Sequence, residues 1–146
     1  MKNDTQATVD QLNSFLRGEI SAVETYRQAL EKLEQFPQRA TLEQCAASHR
    51  TRVDLLTSEV TRRGGTPAEG SGAWGAFAKA VEGTATVFGT KAAIAALEEG
   101  EDHGRDDYKR GMDGLDNAAR ELLQTRIMPE QLRTHDALSM LKKTLS

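Results

Sequence analysis

The sequence predicts an all-α fold, a bundle of four helices arranged as two helical hairpins with a long crossover between them. Three observations carry this expectation. Apolar residues recur at alternating three- and four-residue spacing along most of the 146-residue chain, which is the period of a helix face. No stretch shows the sustained period-two alternation of a half-buried strand. Aromatic residues are few, at 5%, while Ala, Leu, Glu, Arg and Lys fill the periodic segments, as helix propensity favours.

The first helix is expected from about Thr5 to Gln35, ended by Pro37, because proline cannot continue a helix. Its seam reads Val9, Leu12, Leu16, Glu19, Val23, Tyr26, Leu30 and Leu33. The second is expected from Arg39 to Arg63, with Leu42, Ala46, His49, Val53, Leu56 and Val60 on its seam, and Gly64-Gly65 stops it. A turn-rich link, GGTPAEGSG, leads to an apolar piece, AWGAFAKAVEG, read as a short extra helix within the crossover. Trp74, Phe77 and Val81 share one face of that piece, as core cover or as a dimer contact. The third helix is expected from Thr90 to Met112, with Ile94, Leu97, Glu101, Gly104, Tyr108 and Met112 in line. The fourth runs from Leu115 to the end, and Pro129 should kink or divide it.

Turns within each hairpin are short, whereas about 25 residues separate the second helix from the third. That length can carry the chain from one end of the bundle to the other, which is the connectivity of ferritin-like bundles.

Composition narrows the setting. The length suits a single domain spanning 1–146. Net charge is −3 with both signs interspersed, so no basic footprint for nucleic acid and no polybasic membrane patch is expected. No run of about 18 apolar residues offers a membrane span, and MKNDTQATVD lacks the apolar core of a signal peptide. The single cysteine, Cys45, excludes an internal disulfide and fits a reducing, cytoplasmic compartment.

A carboxylate on an apolar seam is the feature that asks for a reason. Glu19 recurs as Glu101 in an internal repeat: GEISAVETYR from Gly18 is matched by GEDHGRDDYK from Gly100. Each seam glutamate is followed seven residues later by a seam tyrosine, Tyr26 or Tyr108. The second helix of each hairpin offers a histidine: His49 on the second helix, and His135 between Leu132 and Leu138 on the fourth. Two approximate copies about a pseudo-twofold axis would bring all four groups to the middle of the bundle.

These residues carry a resemblance. LNSFLRGEISAVETY resembles the first helix of bacterioferritin- and rubrerythrin-type proteins, including the ligand glutamate and the tyrosine after it. RRGGTP, WGAFAKAVEG, LEEGEDH and THDALSMLK are similar to segments of a small bacterial ferritin-like family catalogued as a domain of unknown function. The resemblance runs from about Val9 to Lys143. It implies a ferritin-like fold and no established activity.

A ferritin-like di-iron site takes a glutamate from each of two helices and a Glu-x-x-His pair from each of the others. Three residues before His49 stands Ala46 and three before His135 stands Leu132, so the bridging carboxylates are missing and an enzyme of that type is not expected. Glu19, His49, Glu101 and His135 remain as candidate ligands for one divalent ion such as Fe, Zn or Mn. The same residues admit a second reading, in which a protonated histidine between two carboxylates forms a metal-free ion network. The first reading makes the chain a metal-binding stress protein. The second makes it an inert bundle acting through oligomerisation, as a dimer, or through partner contacts. Tyr26 and Tyr108 are expected to bond a carboxylate from within the core. Cys45 reads as a small core residue, His103 as solvated, and Asp102 and Asp136 as neighbours of the histidines.

Overall fold

The computed structural model describes residues 4–71 and 89–145. Its helices are α1 (Asp4–Lys32), α2 (Arg39–Arg62), α3 (Thr90–Gly111), α4 (Asn117–Leu122) and α5 (Met128–Thr144). A 3₁₀ turn, Met112–Gly114, follows α3, and a π-helical turn, Leu123–Ile127, joins α4 to α5. Taken together, α4, the π turn and α5 form the fourth rod of a four-helix bundle, and no strand occurs among the described residues. The expected crossover helix with Trp74, Phe77 and Val81 lies outside the described residues.

The hairpin turns end as the sequence dictates. Leu33 and Phe36 are both buried, so the chain leaves the helix at Lys32, ahead of Pro37, to tuck both side chains inward. The Arg39 guanidinium reaches back to the carbonyls of Leu30 and Leu33, placing a cation at the negative end of the α1 dipole. At the end of α2, Gly64 N donates to Thr61 O and Gly65 N to Val60 O, each at 2.9 Å. With Gly64 at φ 80°, this is a Schellman cap, and only glycine adopts that backbone without strain.

Asp116 caps α4 by accepting from Ala119 N at 3.0 Å, and Arg63 bonds both oxygens of the same carboxylate. The fourth rod thereby starts against the end of α2.

Two apolar clusters fill the bundle. One joins Tyr26, Ala29, Leu33 and Phe36 to Leu42, Cys45, Ala93, Ile94, Leu97, Leu138 and Leu141. The other joins Val9, Leu12, Phe15 and Leu16 to Leu56, Val60, Tyr108, Leu115, Ala119, Leu123 and Ile127. Gly65 abuts Val9 in the second cluster's end of the bundle, whereas α3 begins among the partners of Leu33 and Phe36. The chain thus leaves α2 at one end of the bundle and enters α3 at the other, as the long crossover predicts. Where α3 ends, α1 comes so close that a Cβ on Gly111 would stand 2.6 Å from Phe15 Cζ.

Candidate functional site

Between the two apolar clusters lies a layer of polar side chains. Helix α1 supplies Glu19 and Tyr26, α3 supplies Glu101 and Tyr108, α2 supplies Ser48, His49 and Arg52, and α5 supplies Gln131 and Thr134. All of these are buried, and Arg52 and Thr134 are 0% exposed. Spacings of three, four and seven residues, with Ser48 four before Arg52, turn these side chains to the inner side of their helices.

The tyrosines cross between helices. Tyr26 donates to Glu101 Oε2 at 2.5 Å, and Tyr108 donates to Glu19 Oε2. Residue numbers rise on α1 as they fall on α3, so the two helices run antiparallel, and the internal repeat becomes a reciprocal pair of bonds.

His49 stands between the carboxylates. Its Nδ1 lies 2.5 Å from Glu19 Oε1 and its Nε2 lies 2.8 Å from Glu101 Oε2. A carboxylate oxygen only accepts, so each ring nitrogen must carry a proton, and both do so only in the imidazolium. His49 is therefore a cation shared by two anions.

Arg52 brings the second positive charge. Its guanidinium donates to Glu19 Oε2 at 3.3 Å, Ser48 Oγ at 3.0 Å, Thr134 Oγ1 at 2.8 Å and the Glu130 carbonyl at 3.3 Å, and also to Gln131 Oε1. Gln131 Nε2 and the Thr134 hydroxyl turn to Glu101 Oε1 at 3.0 and 2.7 Å. Two carboxylates, one imidazolium and one guanidinium sum to zero. Among the described residues no buried side-chain nitrogen or oxygen lacks a partner. Such satisfaction is the condition under which a buried charge cluster is tolerated.

The titration shifts follow from this balance. Burial pushes the Glu19 carboxyl up, but Arg52 and His49 outweigh it and hold it at about 2. Glu101 is lowered too, burial being overcome chiefly by His49. Burial alone would lower the His49 pKa, yet Glu19 and Glu101 raise it. Both tyrosine hydroxyls are driven well above 10, first by burial and then by the carboxylate each one faces. Neither tyrosine ionises near neutrality.

Three of the four candidate residues meet. Glu19, His49 and Glu101 are within bonding distance, and His135 is not among them. It lies half-buried at the bundle's edge, with Nε2 2.5 Å from Asp102 Oδ1 and Nδ1 3.5 Å from Asp136. Thr134 faces inward in its place. The expectation that His135 points to the centre is corrected by the phase of α5: its buried line is Gln131, Thr134, Leu138 and Leu141, spaced three, four and three residues, so the seam passes one position before His135. Leu132, expected inward, is 46% exposed.

Arg52 was not among the candidates, although it falls three residues after His49 and so on the same face. Cys45 is a buried core residue as expected, and burial pushes its thiol up to about 11. His103 is exposed beside Glu99.

The donor set as arranged does not fit a di-metal centre. Every oxygen of Glu19 and Glu101 already accepts from the chain, both nitrogens of His49 are committed, and a guanidinium holds the adjacent space. Among the described residues no group of three or more His, Cys, Asp or Glu is arranged to hold a metal ion. A cavity of about 50 Å³ borders Glu19, His49 and Glu101 between α1 and α3. It has room for a little water, but an ion there would have to displace the imidazolium protons first.

Fold and polar layer together define an all-α four-helix bundle closed by an internal ion network. The chain belongs to the domain of unknown function family DUF2383, whose model matches residues 7–114. That stretch contains every charged member of the layer, from Glu19 to Glu101; Gln131 and Thr134 lie beyond it. No curated protein and no solved structure matches the chain. No helix among the described residues is long and apolar enough to cross a membrane.

Proposed function

We propose that this chain is a metal-free bundle of ferritin-like connectivity, cytoplasmic and stress-associated, that works through contacts with other chains rather than by catalysis. The supporting observation is the position of Arg52. A fully buried guanidinium beside Glu19 supplies the positive charge that a metal ion would otherwise bring, and His49 supplies the rest. Two antiparallel hairpins joined end to end by a long connection have the topology of ferritin-like bundles, which supports the fold assignment. Leu132 and Met140, the exposed large apolar side chains of α5, support a contact surface.

Metal analysis of protein purified without added metal, and again after loading with Fe²⁺, Zn²⁺ or Mn²⁺, tests this reading. The expected result is no stoichiometric metal and a melting temperature indifferent to chelator. Stoichiometric metal that the Glu19→Ala variant loses would overturn it in favour of coordination by Glu19, His49 and Glu101. Sedimentation tests the contact surface: a dimer that the Leu132→Ser/Met140→Ser variant loses is expected, and a monomeric wild type removes self-association from the reading.

A further inference from the structure

We propose that Arg52 is the resident cation of a preformed cation site, a cage of oxygen atoms that would bind a free cation if the guanidinium were removed. The inference rests on the metal-free reading and goes beyond it by assigning the place where positive charge is bound.

Five oxygens from α1, α2 and α5 face the guanidinium: Glu19 Oε2, Ser48 Oγ, Thr134 Oγ1, Gln131 Oε1 and the carbonyl of Glu130. Three of these belong to groups that can both donate and accept, and each is turned by a bond on its far side. The Ser48 hydroxyl donates to Glu130 Oε1 at 2.8 Å. The Thr134 hydroxyl donates to Glu101 Oε1 at 2.7 Å, and Gln131 Nε2 donates to the same oxygen at 3.0 Å. Their protons are thus spent outside the cage, and their lone pairs point into it.

The orientation is imposed by Glu101 and Glu130, neither of which offers a side-chain oxygen to Arg52. It therefore survives loss of the guanidinium. One carboxylate with four neutral oxygens is the donor set of a hard cation such as Ca²⁺, or of a planar donor such as guanidinium itself. The remaining Glu19, Glu101 and His49⁺ would carry one uncompensated negative charge, which favours uptake of a cation.

The test is thermal melting of Arg52→Ala with guanidinium chloride far below denaturing concentrations, with Ca²⁺, and with tetramethylammonium at equal ionic strength. The variant should melt below wild type, and guanidinium or Ca²⁺ should restore several degrees. Tetramethylammonium, which has no N–H to donate to the five oxygens, should restore nothing, and wild type should respond to none of them. An Arg52→Ala protein that melts like wild type, or that neither cation stabilises, overturns the proposal. A variant that is unfolded alone but folds with either cation supports it, and one that stays unfolded with both counts against it. As a second comparison, Arg52→Lys should melt above Arg52→Met, which has similar length and no charge; the reverse order overturns the proposal. Failure here leaves the metal-free reading standing, because that reading is decided by the metal content of the wild type alone.

Discussion

The Tyr26 hydroxyl donates a hydrogen bond to Glu101 across the α1–α3 interface at 2.5 Å. A hydrogen bond to a buried charged group contributes about 1.5–3 kcal/mol. Tyr26→Phe should therefore lower stability by roughly that amount, and Tyr108→Phe, which removes the reciprocal bond to Glu19, should do likewise. Urea unfolding of the two variants checks it; Phe variants as stable as wild type would show that the tyrosines act by packing alone.

Glu19 holds two cations at once, His49 and Arg52. Its removal leaves His49 with Glu101 alone and Arg52 with neutral acceptors alone. Glu19→Ala should cost about 3–5 kcal/mol, the usual consequence of stranding a buried charge. Glu19→Gln keeps an acceptor for Arg52 and should cost less. Equal losses in the two variants would mean that volume, not charge, governs the site.

Stability should fall on both sides of neutrality, for different residues. Glu19 is lowered from 4.5 to about 2, so its contribution is complete above 4.5 and disappears as pH drops through about 2. At 1.36 kcal/mol per pKa unit that depression corresponds to about 3 kcal/mol. His49 is raised above 6.5, so its contribution is complete below 6.5 and is lost as pH climbs through the folded value. Melting temperature against pH should show both declines, and His49→Gln should remove the alkaline decline that sets in above 6.5, ahead of the one due to Cys45, Tyr26 and Tyr108. Nitrogen NMR at neutral pH should find both ring nitrogens of His49 protonated; a single protonated nitrogen would contradict the imidazolium.

A methyl group at Gly111 would meet Phe15 Cζ at 2.6 Å and Gln11 Nε2 at 2.7 Å. The glutamine can swing away, but Phe15 is buried against Tyr108, with ring centroids 4.8 Å apart. Gly111→Ala should destabilise by about 1–3 kcal/mol through overpacking, despite alanine's better helix propensity. Gly111→Ala combined with Phe15→Leu should recover part of the loss, as a thermal melt would reveal.

The Cys45 thiol, buried and pushed up to about 11, should ignore a thiol reagent in native protein at pH 8 and react on unfolding. Rapid labelling of the native state would place it at the surface.

Much of this architecture was legible from spacing. Glu19, Tyr26, Glu101 and Tyr108 declared themselves by occupying apolar seams, and the repeat between α1 and α3 foretold their reciprocal bonding. His49 was legible for the same reason. Arg52 was harder, because an arginine on a helix face normally reads as a solvent group; the clue was its i, i+3 relation to an inward histidine. Gln131 and Thr134 were hard to read because both are polar, although they stand seven and four residues before buried Leu138 on one helix. Leu132 and Leu138 flank His135 at three residues on either side, which draws the seam onto the histidine. The buried line instead runs through Gln131 and Thr134 to Leu138 and Leu141 and is polar at its first two positions.

The ion layer also has a lesson for how the halves of the molecule find each other. Within the layer, the α1–α2 hairpin carries Glu19, His49 and Arg52, an excess of one positive charge. The hairpin completed by α3 and α5 carries Glu101, one negative charge. Two copies of the first hairpin would repel at the centre, and so would two copies of the second; only one of each neutralises the layer. The layer is therefore a recognition code, in which each half rejects its own kind and accepts its complement. Apolar seams alone, which fit one another in many registers, would provide no such discrimination.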